Sequence, residues 1–496
     1  MQVPPADSTT LLSADLAETS QLATAIGRLL PALERFTQYQ GIDQAARQRA
    51  LWKGRLDQPL PERGVGLEDV LGELAEVVIP YGLRNGAPGF NGWVTTAPTT
   101  VGAAASLAAT VAGSQRWWLQ PFNYLETVGL RWLATLLGIP EGWQGTFAPG
   151  GSTANLIALG AARQQAFERL GVDPARFGVP DREAKVYASS EVHHVVVRAA
   201  AVLGLGRSAV VVIPVDEAGR LDVLDLRGRL EADRSAGIVP VAIVASAGTV
   251  NTGAIDPIGT MADLAAEFGT WLHVDGAYGL FGRLDERVAA LYEGLERADS
   301  AVVDPHKWLA APMGIGAVFV RDRALLGRAF TLEPAEYLEG AVDSGMEAVS
   351  PFDNFGELFH DFNLDQSAPS RGVVVWAMLR EIGAQGMRER VRRHNDFARH
   401  LADLVDADER LELLAPPSLS ICCFRYQRHG LDDAELDRLN AEIARRLRAE
   451  TPYVPSTTRV AGRFAIRPCY INPRTTLQEV DGLARAVREI GDRLQG

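Results

Sequence analysis

Of the 49 basic residues in this chain only three are Lys, at positions 53, 185 and 307, and the rest are Arg. A reaction that needs an amine must draw on these three. Lys307 closes Val302-Val-Asp-Pro-His-Lys307, directly after an apolar, strand-like run. Burying an amine there is costly, and desolvated lysines of this kind attack carbonyl groups; a lysine snorkelling at the surface is the plainer alternative. Asp275 closes a second apolar run and is followed by Gly276 and Ala277. Its carboxylate can cap the next helix, or pair with the protonated ring nitrogen of a flat cofactor whose face Ala277 leaves uncrowded. Ala148-Pro-Gly-Gly-Ser-Thr-Ala-Asn155 opens a helical stretch, Leu156 to Leu170. Gly151 permits close backbone approach, Ser152 can cap, and free N–H groups with the helix dipole suit a phosphate, although Gly-Gly-Ser before a helix is more often just a cap. The pair His193-His194 admits a metal, a structural imidazole or an aromatic platform for a cofactor. Neighbouring imidazoles on a helix diverge, and no complete ligand set is spelled nearby.

The order is phosphate loop, imidazole, strand-end Asp and then Lys, with Lys307 lying 32 residues beyond Asp275. Phosphate, pyridine nitrogen and aldehyde are the three handles of pyridoxal 5′-phosphate. From about Gly89 to Thr476 the chain resembles the group II pyridoxal-phosphate amino-acid decarboxylases, the family of the aromatic-L-amino-acid, histidine, tyrosine and glutamate decarboxylases. The resemblance is carried by Pro-Gly-Gly-Ser-Thr-Ala-Asn155, His193, Ser246-Ala-Gly-Thr-Val-Asn-Thr-Gly-Ala-Ile-Asp256-Pro, His273-Val-Asp-Gly-Ala-Tyr278, Asp304-Pro-His-Lys-Trp308 and Ile471-Asn-Pro-Arg-Thr-Thr476.

The resemblance implies decarboxylation of an L-amino acid through a Schiff base at Lys307. Asp275 would keep the ring nitrogen protonated, and His193 would stack on the ring face opposite Ala277. Gly151 and Ser152 would receive the phosphate, helped by the backbone around Asp304, where the family often has Asn. Ser246, where relatives have Thr, would reach the ring oxygen or Asp275, and His306 would belong to the same shell. The segment Phe90 to Thr96, with Trp93 and Thr96, and then Trp117-Trp118 would border the substrate side chain. Tryptophan walls favour an aromatic or bulky apolar amino acid over glutamate, which needs a cationic clamp. Decarboxylases of this family usually bring a Tyr on a loop after the lysine strand to protonate the intermediate. Here no Tyr occurs between Tyr337 and Tyr426, and the loop aromatics are Phe352, Phe355, Phe359 and Phe362. A Phe has no proton to give, so an aldehyde synthase, coupling decarboxylation to oxidative deamination, is the alternative. His360 or a water is another source of that proton. A transaminase-like activity and a catalytically inactive binding or regulatory homologue are the remaining rivals; the intact Lys307, Asp275 and His193 speak against the latter.

The elements that must position these groups follow from patterning. The 496 residues and 47% hydrophobic content allow a large core divided among units. Helical spacing marks Leu16–Phe36 and Leu67–Ile79. Between about 100 and 330, strand-like runs (185–189, 210–213, 241–245, 271–274, 301–303 and 317–320) alternate with helical stretches, which indicates a mostly parallel sheet with its ligands beyond the strand ends. A long helical stretch from 371 then leads to alternating runs at 419–426 and 464–471. The expected fold is α/β of fold-type I, aspartate-aminotransferase-like. Its expected units are a helical N-terminal segment at 1–90 that wraps a partner, a large cofactor-binding domain at 91–370 and a small α+β domain at 371–496. The resemblance adds a homodimer with each active site at the subunit boundary. A net charge of −13 without a run of five like charges argues against nucleic acid and anionic membranes. No signal-peptide pattern is present, and Cys422, Cys423 and Cys469 lack the spacing of a zinc site or disulfide scaffold. A cytoplasmic enzyme with reduced, buried cysteines and no metal is expected.

Overall fold

The computed structural model describes residues 21–113, 121–331 and 357–495. Two short strands come first, β1 (Phe90–Asn91) and β2 (Gln144–Ala148). The six strand-like runs then appear as β3 (Ala184–Ser189), β4 (Val210–Ile213), β5 (Val239–Ser246), β6 (Trp271–Asp275), β7 (Ser300–Val303) and β8 (Gly316–Val320). With β2 they form a seven-stranded sheet in the order β2-β8-β7-β6-β5-β3-β4. Neighbours from β3 to β7 pair in parallel, and β8 alone runs against the rest. Register brings the chemistry together: Ser246 at the end of β5 stands opposite Asp275 at the end of β6, which stands opposite Val302 on β7.

Side chains alternate across this sheet, so each face gathers its own apolar layer. Leu272 and Val274 join the layer that holds Met261 and Leu264. Trp271 joins the opposite one with Ile157 and Ala158 of the Gly151–Glu168 helix. His273 and Asp275 alternate with that first pair, and so share the Trp271 face beneath this helix. The helix starts earlier than its apolar pattern, because Gly150 takes the N-cap position with φ 146°, a conformation open to glycine. Ser152, expected as a cap, therefore sits inside the first turn and makes no capping bond.

A second sheet, in the order β1-β11-β12-β10-β9, uses β9 (Leu411–Ala415), β10 (Cys423–Tyr426), β11 (Val454–Val460) and β12 (Arg463–Arg467). It is reached through the long Gly372–Asp406 helix, which breaks at Gly383. The run expected to extend to 471 ends as a strand at Arg467, because Pro468 has no N–H for the ladder. The 419–426 run is a strand only from Cys423; before it, Ser420 is engaged by Tyr278 and Ile421 forms an isolated bridge to Cys469. Leu67–Ile79 divides into an α-helix to Glu73, a π turn to Val78 and a 3-10 turn at Ile79–Tyr81, where Pro80 interrupts the ladder. β1 runs parallel to β11, so the residues after it, Gly92 and Trp93, are delivered between the two sheets.

Among the described residues no helix is long and apolar enough to cross a membrane, and no group of three His, Cys, Asp or Glu is placed to hold a metal. The three cysteines are free and buried.

Candidate active site

The first backbone bond of the Gly151–Glu168 helix runs from the Ala154 N–H to the Gly150 carbonyl, 3.0 Å. The N–H groups of Gly151, Ser152 and Thr153 thus lie outside the helical ladder. Opposite them Asp304 follows the end of β7, and its buried Oδ1 has no hydrogen-bond partner. Glycine is required across this gap: a Cβ on Gly151 would stand 2.7 Å from Asp304 Oδ2, and one on Gly316 2.6 Å from Oδ1.

The chain then turns tightly, with the Lys307 N–H donating to the Asp304 carbonyl at 2.9 Å. That turn swings Lys307 Nζ to 3.1 Å from Asp304 Oδ2. The other two lysines are committed elsewhere, Lys53 to Asp57 at 3.0 Å and Lys185 to Glu183 at 2.7 Å. His306 Nδ1 lies 2.7 Å from the Ile315 carbonyl, which can only accept, so Nδ1 carries a proton and Nε2, 3.7 Å from Asp304, bears the lone pair of the neutral ring. Burial lowers the His306 pKa and favours that neutral form.

Asp275 accepts a 3.1 Å bond from the Ala277 N–H, which fixes its carboxylate at the strand end. Beside it, Ser246 is pinned through its backbone: its N–H donates to Asp256 Oδ2 and the Leu221 N–H to Oδ1, both at 2.7 Å. Burial raises the Asp256 pKa to about 6 against those two bonds. His193 precedes its helix, which begins at Val195. It does not diverge from His194, as neighbours within a helix would; the ring centroids lie 4.2 Å apart. The Val195 N–H donates to His193 Nδ1 at 3.3 Å, so the neutral ring carries its proton on Nε2. Burial lowers this pKa too, against the opposing pull of Asp275.

His193, Ser246, Asp275, Ala277, Asp304, His306 and Lys307 line one cavity of about 660 Å³, together with Gly151, Ser152 and Trp93. Trp93 is 58% exposed and holds φ 50°, a region bulky residues avoid at a cost of about 1–3 kcal/mol. Both sides of its backbone are held from the second sheet: its N–H donates to Ser456 Oγ at 3.0 Å and its carbonyl accepts from Arg467 Nη1 at 3.2 Å. Thr96, expected on the same wall, does not line the cavity. It is buried, with its hydroxyl directed at the Ala97 carbonyl. Trp118, like Trp117, Phe352 and Phe355, lies outside the described residues, and His360 sits off the cavity, 3.5 Å from Asp361.

Among the lining residues that the sequence alone does not single out are Arg467, Asn251 and Glu191. Arg467 is buried, with Nε on the Asn251 carbonyl at 3.0 Å, Nη1 on Ser456 Oγ at 2.9 Å and Nη2 on the Val250 carbonyl. The Asn251 side chain donates to Glu191 at 2.7 Å and accepts from Thr458 at 2.7 Å. The signal for Arg467 was a charged residue ending an otherwise apolar alternating run.

The donors fit pyridoxal 5′-phosphate. Three free N–H groups at a glycine turn suit its phosphate, a strand-end carboxylate its ring nitrogen, an imidazole its ring face and a cavity-lining amine its aldehyde. One departure is Asp304, a carboxylate beside the phosphate end. A mostly parallel sheet with these groups beyond its strand ends, joined to a second, smaller sheet, defines a pyridoxal-phosphate enzyme of fold-type I. The chain matches the pyridoxal-dependent decarboxylase conserved domain over residues 51–427 and belongs to that family; it is a pyridoxal-phosphate-dependent amino-acid decarboxylase. It is 29% identical over 452 residues to an aromatic-L-amino-acid decarboxylase of Bacillus atrophaeus, covering 89% of each chain. To an L-2,4-diaminobutyrate decarboxylase of Rhizobium meliloti it is 30% identical over 473 residues, covering 92% of this chain and 90% of that one. The crystal structure of Oryza sativa TDC with PLP and tryptamine shares its fold, with a TM-score of 0.84, 24% identity and all of both chains covered.

Proposed function

We propose that the chain decarboxylates an aromatic L-amino acid to its amine, and does so as a cytoplasmic homodimer with Lys307 carrying the cofactor. The observation that carries the substrate class is Trp93, an open indole held in strained geometry on the cavity wall. Such an indole offers a flat apolar face to an aromatic side chain. The relative from Bacillus atrophaeus, named for aromatic amino acids, supports the same class.

When bound, pyridoxal phosphate supplies an electron sink for the pair left behind as the α-carboxylate departs as carbon dioxide. The chain's own groups do the rest. Asp275 holds a proton at the ring nitrogen, and Lys307 Nζ is the amine available to a carbonyl. The Gly151–Thr153 N–H groups anchor the phosphate, His193 covers one ring face and Ala277 keeps the other uncrowded. Arg467 places a permanent positive charge on the substrate side. For the dimer, support comes from Leu22, Leu30 and Leu33, exposed on the Leu22–Thr37 helix, and from Leu107 and Val111 on the Thr100–Ala112 helix. These apolar faces are left for a second copy to cover. The division into units at 1–90, 91–370 and 371–496 is proposed on the same footing; a core built only from residues between Phe397 and Ile490 supports the last unit, while Leu414, Cys423 and Ala465 of the second sheet join the core of the large one.

A second reading rests on the missing Tyr between Tyr337 and Tyr426. With no side chain to hold a proton for the α-carbon once carbon dioxide has left, one molecule each of oxygen and water would be consumed per amino acid, giving aldehyde, ammonia and hydrogen peroxide in place of amine. Product analysis under air with the aromatic amino acids decides. Amine equal to carbon dioxide supports plain decarboxylation, whereas stoichiometric aldehyde and peroxide contradict it. In that case Phe352→Tyr or Phe355→Tyr should shift product toward amine.

A further inference from the structure

At and beneath the cavity floor a chain of side chains joins the phosphate end of the site to β6, the strand that ends in Asp275. The Trp271 indole Nε1 lies 2.8 Å from Ser300 Oγ, and Ser300 Oγ lies 2.8 Å from His273 Nδ1. His273 Nε2 lies 2.9 Å from Asn155 Oδ1, and Asn155 Nδ2 lies 2.8 Å from the Gly151 carbonyl. The two ends have fixed roles, since an indole N–H only donates and a carbonyl only accepts. Every proton between them is thereby assigned. The Gly151 carbonyl forces the Asn155 amide to face it with Nδ2, which leaves Oδ1 to accept; His273 must then donate from Nε2 and accept at Nδ1, and the Ser300 hydroxyl must donate there while receiving the indole N–H. All four bonds point one way, an arrangement in which each polarises the next. Protonation of His273 would add a second donor against the Ser300 hydroxyl. Complete burial resists this and lowers the His273 pKa to about 4.

We infer that His273 is a positioning residue for the cofactor, fixing the distance between the phosphate cradle at Gly151 and the pyridine anchor at Asp275. His273 lies two residues before Asp275 on β6, so both project to the sheet face on which the Gly151–Glu168 helix lies. Its bond to Asn155 holds the first turn of that helix, hence the N–H groups of Gly151, Ser152 and Thr153, against the strand that ends in Asp275. A rigid cofactor that must meet both ends is served by a spacer that cannot slide, and hydrogen-bonded side chains of one fixed polarity make such a spacer. The inference rests on placing the cofactor phosphate at Gly151.

The test uses three probes on the apoprotein: inorganic phosphate, pyridoxal phosphate and pyridoxal, which offers the aldehyde and ring without the phosphate. Asn155→Ala should weaken inorganic phosphate and pyridoxal phosphate about tenfold or more, as loss of a buried hydrogen bond does, and leave pyridoxal within twofold. Ser300→Ala should act in the same sense, with Ser300→Thr restoring affinity. Ile443→Ala, a truncation in the separate core of the second sheet, should lower the urea midpoint without this split. In the holoprotein, nitrogen NMR of labelled histidines, with the His273 signals identified by their loss in His273→Gln, should show that ring protonated at Nε2 alone and not titrating between pH 5.5 and 8.5. Phosphate affinity unchanged in Asn155→Ala, pyridoxal weakened in step with pyridoxal phosphate, or a His273 ring protonated at Nδ1 would each overturn the inference. Unaltered apoprotein that binds pyridoxal as tightly as pyridoxal phosphate, and no inorganic phosphate, would overturn the cradle itself.

Discussion

At the scale of single residues, Asp275 and Asp304 are two carboxylates with opposite consequences. Asp275 faces the pyridine end, where a negative charge stabilises a ring proton. Asp275→Ala should lower kcat about ten- to a hundredfold, the cost of a charge-assisted hydrogen bond of about 1.5–3 kcal/mol; turnover within twofold of the unaltered enzyme would contradict that role. Asp304 stands at the phosphate end, with Oδ2 on Lys307 and Oδ1 buried without a partner. A carboxylate there repels a phosphate, whereas an amide can donate to it. Asp304→Asn should therefore tighten inorganic phosphate binding to the apoprotein several-fold near pH 8, and weaker binding in a titration would show that Asp304 assists the anion. Residues of this kind were legible in the sequence because each follows an apolar run. Arg467 was not, because three of its partners, Trp93, Val250 and Asn251, come from distant segments. Thr96 was misplaced for a related reason: the turn at Trp93 has a positive φ that no spacing rule encodes.

At the scale of elements, the parallel sheet was readable because strands buried on both faces are continuous β-branched runs, and β3 to β8 contain every one marked. The antiparallel edge was harder. β2, Gln144–Ala148, has Gly and Thr where such a run would have Val or Ile, and is a strand because β8 pairs with all of it. The Gly151–Glu168 helix offers the clearest test of an element. Gly151→Ala should lower the urea midpoint of the apoprotein, because overpacking at a buried contact, at about 1–3 kcal/mol, outweighs the preference of helices for alanine over glycine, at about 1 kcal/mol. Its Cβ would crowd Asp304 Oδ2 at 2.7 Å and Ala277 Cβ at 3.1 Å. Pyridoxal phosphate affinity should fall about tenfold or more, and an unchanged dissociation constant would mean the cofactor does not use this cradle.

At the scale of the whole molecule, burial lowers the pKa of His193, His273, His306 and His394 from the ordinary value of 6.5. Below pH 6.5 the unfolded chain takes up protons that these rings refuse in the folded state. Their contribution to stability is present above pH 6.5 and is lost as pH falls through that value toward about 4. Asp256 and Asp299, raised by burial, work in the opposite sense, with stability lost as pH rises through their folded values, but they are two groups against four. The urea midpoint of the apoprotein should be lower at pH 5 than at pH 7, and an equal or higher midpoint would contradict the buried neutral histidines. The cradle, the anchor and the positioning chain are arranged around one amine, Lys307, while Lys53 and Lys185 are tied to surface carboxylates. The most direct measurement is borohydride reduction of the holoenzyme followed by peptide mapping. The cofactor should be found bonded to the peptide that contains Lys307, whereas cofactor on Lys53 or Lys185, or no reducible linkage at all, would contradict the assignment.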